Sequence, residues 1–356
     1  MLVRGIEHMK KRIFGLDLVR TTAIFLVVLV HSFFHSGYNS ASMTGIGMFS
    51  LLLIRCLANS GVLIFIILTG YLKCNKGVDK NHYKGIIDII ITYLFVSILT
   101  IIVRKFLFHD NEQLINYIIG IFSFKTIPYA WYVEMYLGLF FFIPFLNILY
   151  KNIDSKKKKQ LLIITLFLFT SLFPTLSRIK ITEYQLDFYP DWWIFLYPVL
   201  LYYIGAYIRE YKVTFNKWIN LFVLLFTIFL DGVILYYYLS GNSIVTLLTT
   251  EYYTFSIIIS TLTFLLLYNI DIRNKIINKI VSFLSKVSFG TYLVSYCFDI
   301  FVYNKTISLQ NSHYYFFICA ILLSPVIFLA SSIFSYFVSI IVKYIRSFVD
   351  RIFEEH

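Results

Sequence analysis

Asp17, Arg20, His31 and His35 all fall within one long apolar run. Ionisable groups inside such a run are costly to keep and mark function by default. On a helix, Asp17 and Arg20 stand three residues apart and can pair on one face. Arg20 and His31 stand eleven apart, about 1100° of rotation or some 20° from three full turns, so they share a face about 16 Å apart along the axis. Histidine is the side chain best suited to take a proton near neutral pH. Plainer readings fit the same residues: an ion pair anchoring a helix end, and a histidine bonded to a neighbouring helix. His31 and His35 have an i,i+4 spacing that could seat a metal. No HExxH pattern or third ligand accompanies them, so no metal is predicted.

Further ionisable residues sit in other apolar runs: Arg55, Glu134, Asp231 and Asp299. Counting about 1.5 Å per helical residue from the ends of their runs places His31, Arg55, Glu134 and Asp299 at similar depth. Isolated charges at that depth could snorkel to the interface. Four of mixed sign on four helices are better accounted for by a shared polar cavity. The segment Tyr189-Pro190-Asp191-Trp192-Trp193 enters its run from the same side. Its tryptophans suit either an interfacial aromatic belt or stacking on a sugar.

The elements that must position these groups are transmembrane helices. Of the 356 residues, 59% are hydrophobic and 14% charged, against about 45–50% and about 25% in soluble domains. That composition excludes a soluble enzyme, a disordered chain and a disulfide-rich secreted module. The four cysteines have no CxxC spacing. Runs long enough to span a bilayer, roughly 20 apolar residues each, occur at about 16–35, 48–72, 86–103, 129–150, 160–176, 194–209, 218–239, 251–269, 285–303 and 314–342. They are continuous rather than alternating, which specifies helices and not barrel strands. The predicted fold is therefore an all-α polytopic membrane bundle of about ten helices. A weaker run, Leu114 to Phe124, is too short to span and is expected at the interface.

Lysine and arginine sort across these spans. With the N-terminus inside, the inner segments hold clusters such as Arg4, Lys10, Lys11 and Arg12, and Lys156 through Lys159. The outer segments hold only Arg104, Lys105, Lys125, Arg178, Lys180 and Lys305. This bias places both termini in the cytoplasm. It also accounts for the net charge of +12 as a topology signal rather than a nucleic-acid surface, so no nucleic-acid partner is expected. The first span lacks a cleavage pattern and is not a signal peptide. No internal repeat is evident, and the loops are short. Residues 1–356 are thus expected to form a single multi-pass unit in the cell membrane, with the lipid bilayer as its first partner and no additional soluble domain.

The first run reads DLVRTTAIFLVVLVH, with Asp17, Arg20, Ala23 and His31. It resembles the opening Asp-x-x-Arg-x-x-Ala element and following histidine of integral-membrane acyltransferases of the acyltransferase 3 family. The stretch FIILTGYL is similar to a second family element through Phe65, Leu68, Gly70, Tyr71 and Leu72, with Thr69 where serine is usual. AWYVEMYLGLFFFIPFL matches a third through Trp131, Tyr132, Gly138 and Pro144. YYIGAYI, through Gly205, and SFGTYL, Ser288 to Leu293, are also family-like. Two departures stand out. Ser295 and Tyr296 occupy the place where members often carry His-Pro, and the loop after the second span holds lysines and His82 in place of arginines.

The resemblance implies transfer of an acyl group, usually acetyl, from cytoplasmic acyl-CoA to a hydroxyl of a cell-envelope carbohydrate or lipid-linked glycan. Acyl-CoA would be a co-substrate, with no bound cofactor. Such chemistry needs a base for the hydroxyl and a donor for the oxyanion. His31 is the candidate base, or a transient acyl carrier. Glu134 or Asp299 could orient it by the logic of a triad. Arg55, Trp131, Tyr132, Asp191, Trp192 and Asp299 are candidates for holding the acceptor. Arg20, paired with Asp17, could meet the donor's phosphates, as could Lys73, Lys76, Lys80 and Lys84. The alternative is a polysaccharide export protein of the same broad membrane type, which would also want a polar cavity but commonly shows repeat symmetry. A third possibility is a structural partner of glycan-synthesis proteins, in which substitution of His31 would be silent.

Overall fold

The computed structural model describes residues 13–178, 191–239, 252–306 and 313–354. Of the features singled out above, Arg4, Lys10, Lys11, Arg12, Lys180, Tyr189, Pro190 and the side chain of Asp191 lie outside the described residues.

The described chain is helical, with no strand among the described residues. In order, the helices are α1 (Phe14–His35), α2 (Gly45–Ala58), α3 (Gly61–Lys73), α4 (Lys80–Lys84), α5 (Ile87–Leu107), α6 (Leu114–Phe122), α7 (Trp131–Lys151), α8 (Lys156–Phe167), α9 (Phe173–Arg178), α10 (Tyr197–Tyr211), α11 (Lys217–Leu239), α12 (Thr254–Leu267), α13 (Lys275–Thr306), α14 (His313–Ile318) and α15 (Ser324–Glu354). Eight helical stretches are long and apolar enough to cross a membrane: Phe14–His35, Gly45–Lys73, His82–Leu107, Pro128–Lys151, Lys156–Ser177, Lys217–Leu239, Lys275–Thr306 and Tyr314–Phe348. The remaining two expected spans are the shorter helices α10 and α12, of 15 and 14 residues. α10 gains length from a 3₁₀ segment, Asp191–Leu196, immediately before it.

The second expected span is interrupted. Its helix breaks at Asn59 and Ser60, between α2 and α3, inside what reads as one apolar run. Two other spans carry single π-helical turns, Leu168–Leu172 and Cys319–Leu323. The weak run after the third span forms α6. It buries Tyr117 and Gly120 while Leu114, Ile115, Ile118, Ile119 and Phe122 face outward, which suits a helix lying at the interface.

α1 packs against α2, α3, α13 and α15, so the helix carrying Arg20 and His31 runs through the middle of the bundle. Outward faces are apolar, as on α11, where Phe222, Phe226 and Phe229 are exposed. Such a surface fits lipid and not water. Without a hydrophobic force between helices in lipid, close packing of small residues takes over. The seam between α3 and α10 is the clearest case. A Cβ on Gly70 would meet the Tyr202 carbonyl oxygen at 2.0 Å, and one on Gly205 would meet the Ile67 carbonyl oxygen at 2.0 Å. These two motif glycines let the backbones touch.

Candidate active site

At the inner end, so named from the Lys/Arg bias, Asp17 and Arg20 of α1 meet α13 through one hydroxyl. Ser285 Oγ donates to Asp17 Oδ1 at 2.7 Å and accepts from Arg20 Nη1 at 3.2 Å. Asp17 is buried, and Arg20 is partly exposed because it lines a cavity.

That cavity, of about 790 Å³, lies among α1, α3, α5, α7, α13 and α15. Its size is within the range of small-molecule sites, roughly 300–1,000 Å³. Its cationic lining comprises Arg20, Lys73, Lys286, Lys343, Arg346 and Arg351, against Asp88 and Asp350. Arg346 is held by both carboxylates, with Nε at 2.9 Å from Asp350 Oδ2 and Nη1 at 3.5 Å from Asp88 Oδ1. A second groove, of about 800 Å³, abuts the first and shares Lys286 and Lys343 with it while adding Asp17, Asp271 and Lys279.

The lining reaches Val27, Tyr132 and Tyr292. Val27 is one helical turn, about 6 Å, from His31. The cavity therefore runs along α1 from Arg20 to just beneath the histidine.

The lysines of the loop after α3 divide. Lys73 lines the cavity, and its Nζ lies 4.5 Å from the Phe140 ring centroid. Lys76, Lys80 and Lys84 are exposed and outside the lining. Asn147 of α7 fixes this loop. Its Nδ2 donates to the carbonyls of Lys73 and Lys76, both at 2.8 Å, and its Oδ1 accepts from the Tyr202 hydroxyl at 2.6 Å. His82 is buried beneath α7, stacked on Phe140 at 4.2 Å with Nε2 3.0 Å from its carbonyl oxygen.

His31 is buried. Among the described residues nothing hydrogen-bonds its Nδ1. Its ring stacks on Tyr129, with centroids 3.5 Å apart and planes at 15°. The Tyr129 hydroxyl donates to Asp299 Oδ2 at 2.7 Å and lies 2.6 Å from His35 Nε2. The Tyr129 hydroxyl thus joins Asp299 of α13 to His35 of α1. Asp299 is fully buried.

Tyr129 owes its place to a pinned loop. After α6, the amides of Lys125 and Thr126 both donate to the Gly120 carbonyl, at 2.8 and 3.2 Å. Thr126 Oγ1 donates to the Tyr117 carbonyl at 3.1 Å. Pro128 then opens the single 3₁₀ turn Pro128–Ala130 that leads into α7, where its fixed φ and missing N–H cost nothing.

The other sequence candidates separate. Arg55 is buried on α2, with Nη1 2.5 Å from Asn39 Oδ1 and its guanidinium 5.8 Å from both the Phe34 and Tyr38 ring centroids. The Phe34 ring lies 6.4 Å from His31, so Arg55 flanks the cluster across that ring. Glu134 is exposed. The buried stripe of α7 runs through Val133, Phe140 and Asn147, and Glu134 is turned about 100° from it. Its side chain therefore faces outward rather than into the buried stripe. Trp131 is partly buried against Tyr132 at 6.3 Å. Trp192 is exposed on the 3₁₀ segment before α10. Asp231 is buried on α11 near Cys56 and Tyr253, apart from this cluster.

At the positions of the His-Pro departure, Ser295 is buried and bonded to the Tyr292 carbonyl at 2.8 Å. Tyr296 meets Tyr129 edge-on at 5.2 Å. Sequence reasoning missed Tyr129, Lys286, Lys343 and Arg346. The last three read as topology charges, and only their approach to Arg20 across three helices distinguishes them.

Comparison with curated proteins and with solved structures gave no match. A family profile described as an acyltransferase domain matches residues 13–344, a range that takes in both the cavity and the histidine cluster. The chain therefore belongs to the acyltransferase 3 family and is a multi-pass membrane acyltransferase.

Proposed function

We propose that this enzyme moves an acyl group, acetyl foremost, from cytoplasmic acyl-CoA to a hydroxyl of a cell-surface or lipid-linked polysaccharide in the bacterial plasma or inner membrane. One observation carries the reading: a cation-lined cavity begins at Arg20 and ends one turn beneath a buried histidine with an open Nδ1. The phosphates of CoA suit Arg20, Lys73, Lys286, Lys343 and Arg346, since charge-assisted bonds to phosphate are strong. The pantetheine arm suits the apolar walls at Val27, Tyr132 and Tyr292 and carries the thioester toward His31. There His31 acts as general base on the acceptor hydroxyl. The oxygen attacks the acyl carbon, the carbon–sulfur bond breaks, and His31 returns the proton to the thiolate.

Arg55, across Phe34 from His31, is assigned to the acceptor side together with Trp192. Both termini lie in the cytoplasm in this reading.

The test is purified protein in liposomes, given labelled acetyl-CoA and total envelope glycan. Wild type should transfer label. His31→Ala and Arg20→Ala should not, while remaining folded in the membrane. Full activity of both variants would sink the assignment. Mass spectrometry of envelope glycans with and without the protein would identify the acceptor by its acyl mass difference.

A further inference from the structure

His31 needs a neighbour that tolerates its charge. During the proposed step it is transiently an imidazolium at a buried position. The nearest group to its face is neither a carboxylate nor an arginine but the Tyr129 ring, 3.5 Å away and nearly parallel. We propose that Tyr129 is the positioning residue of His31: it holds the imidazole in one plane and presents its π face to the charge as the proton arrives. This rests on the reading of His31 as the base.

The geometry supports a clamp rather than ordinary core packing. A tyrosine ring in a core can tilt unless its hydroxyl is tied. Here the hydroxyl is tied twice, to Asp299 of α13 at 2.7 Å and to His35 of α1 at 2.6 Å. The two bonds hold the tip of the ring, and its plane is set by the His31 ring on its face and Tyr296 at its edge. Tyr296 abuts its edge at 5.2 Å and Tyr292 lies 6.5 Å away. His35 is in turn stacked on Tyr303, with centroids 5.6 Å apart. Each outer contact restrains Tyr129, and Tyr129 carries that order to His31 through the stacked face. A cation over an aromatic face is stabilised further when desolvated. Asp299, beyond the hydroxyl, offers a carboxylate toward the same charge without touching the base.

The proton path stays balanced without Tyr129 as a reactant. The acceptor hydroxyl gives its proton to His31, the ester C–O bond forms as the C–S bond breaks, and the proton passes to the departing sulfur. Tyr129 neither gains nor loses a proton. This separates a clamp from a relay and decides which variants should matter.

The experiment measures kcat and acetyl-CoA KM in liposomes for Tyr129→Leu, Tyr129→Phe and Asp299→Asn. Tyr129→Leu removes the face and should lower kcat about a hundredfold with KM within about twofold, the pattern of an interaction made in the transition state. Tyr129→Phe keeps the face but cuts both tethers and should lower kcat about tenfold. Asp299→Asn should lower kcat by a similar factor alone and add nothing in the Tyr129→Phe background, because coupled groups are not additive. Equal loss in the Leu and Phe variants would overturn the role of the face. Full additivity of Asp299→Asn with Tyr129→Phe would overturn the tether. Should Tyr129→Leu fail to fold, the Phe variant and the double-variant comparison still decide. A silent Tyr129→Leu beside a dead His31→Ala sinks the clamp and leaves the base. A fully active His31→Ala sinks the base reading itself.

Discussion

Two stretches of α1 three turns apart work by different physics. Around Arg20 the bundle is open, lined by lysines and arginines from α3, α13 and α15, with Asp88 and Asp350 as the acidic groups of the lining. Around His31 it is closed, built from stacked rings, with one carboxylate reached only through a tyrosine hydroxyl. The first environment suits capture of an anion that arrives from water. The second suits a proton transfer from which water is kept out, where each dipole acts at low dielectric. One helix serves both because its 3.6-residue period returns to the same face after eleven residues.

The sharpest way to break this division is His31→Ala. It should lower transfer by about 10²- to 10⁴-fold, the usual weight of a general base, while acetyl-CoA still binds, as read by equilibrium dialysis on the detergent-solubilised enzyme. Loss of binding as well would mean that the two regions are not separate. Next comes Gly70→Ala. Its Cβ would sit 2.0 Å from the Tyr202 carbonyl oxygen, and backbone cannot give way cheaply. Overpacking of this kind costs about 1–3 kcal/mol, so the unfolding temperature in detergent should fall and both regions should fail together.

Lys286→Ala and Lys343→Ala address the open region alone. Each should raise the acetyl-CoA KM roughly tenfold, as expected for one lost charged contact, with kcat unchanged and the effect shrinking in high salt. The smallest change should come from Glu134→Gln. An exposed substitution away from any network is usually within about 0.5 kcal/mol, so turnover should stay within about twofold of wild type. A large effect would return Glu134 to the histidine cluster and blur the comparison.

What could be read in advance follows from what each signal encodes. The spans were legible because lipid forces every backbone bond inside its own segment, and each expected run holds a helix. The break at Asn59 and Ser60 was not, since a polar pair in an apolar run looks like any tolerated interruption. Arg20 and His31 were legible because they share one helix, where rotation per residue is fixed. Glu134 shows the limit. Depth follows from rise per residue, but the direction a helix turns to its neighbours is a property of the neighbours. Tyr129 is one of 29 tyrosines, and nothing in its local spacing marks it. Its importance comes from Asp299, 170 positions later in the chain. Lys286 and Lys343 were hidden by the positive-inside pattern, which calls for cations at that end whether or not they bind anything.

Asn147 has a further consequence. By holding the Lys73 and Lys76 carbonyls with one amide and the Tyr202 hydroxyl with the same side chain, it orders the loop after α3 when the protein folds. A flexible lysine loop would have to surrender its conformational freedom each time a ligand arrived, at a cost of about 0.5–1.5 kcal/mol for each immobilised side chain. Here the backbone beneath Lys73 is already still. The cavity wall is thus pre-organised on that side, and the freedom lost on binding is confined to the lysine's own methylenes.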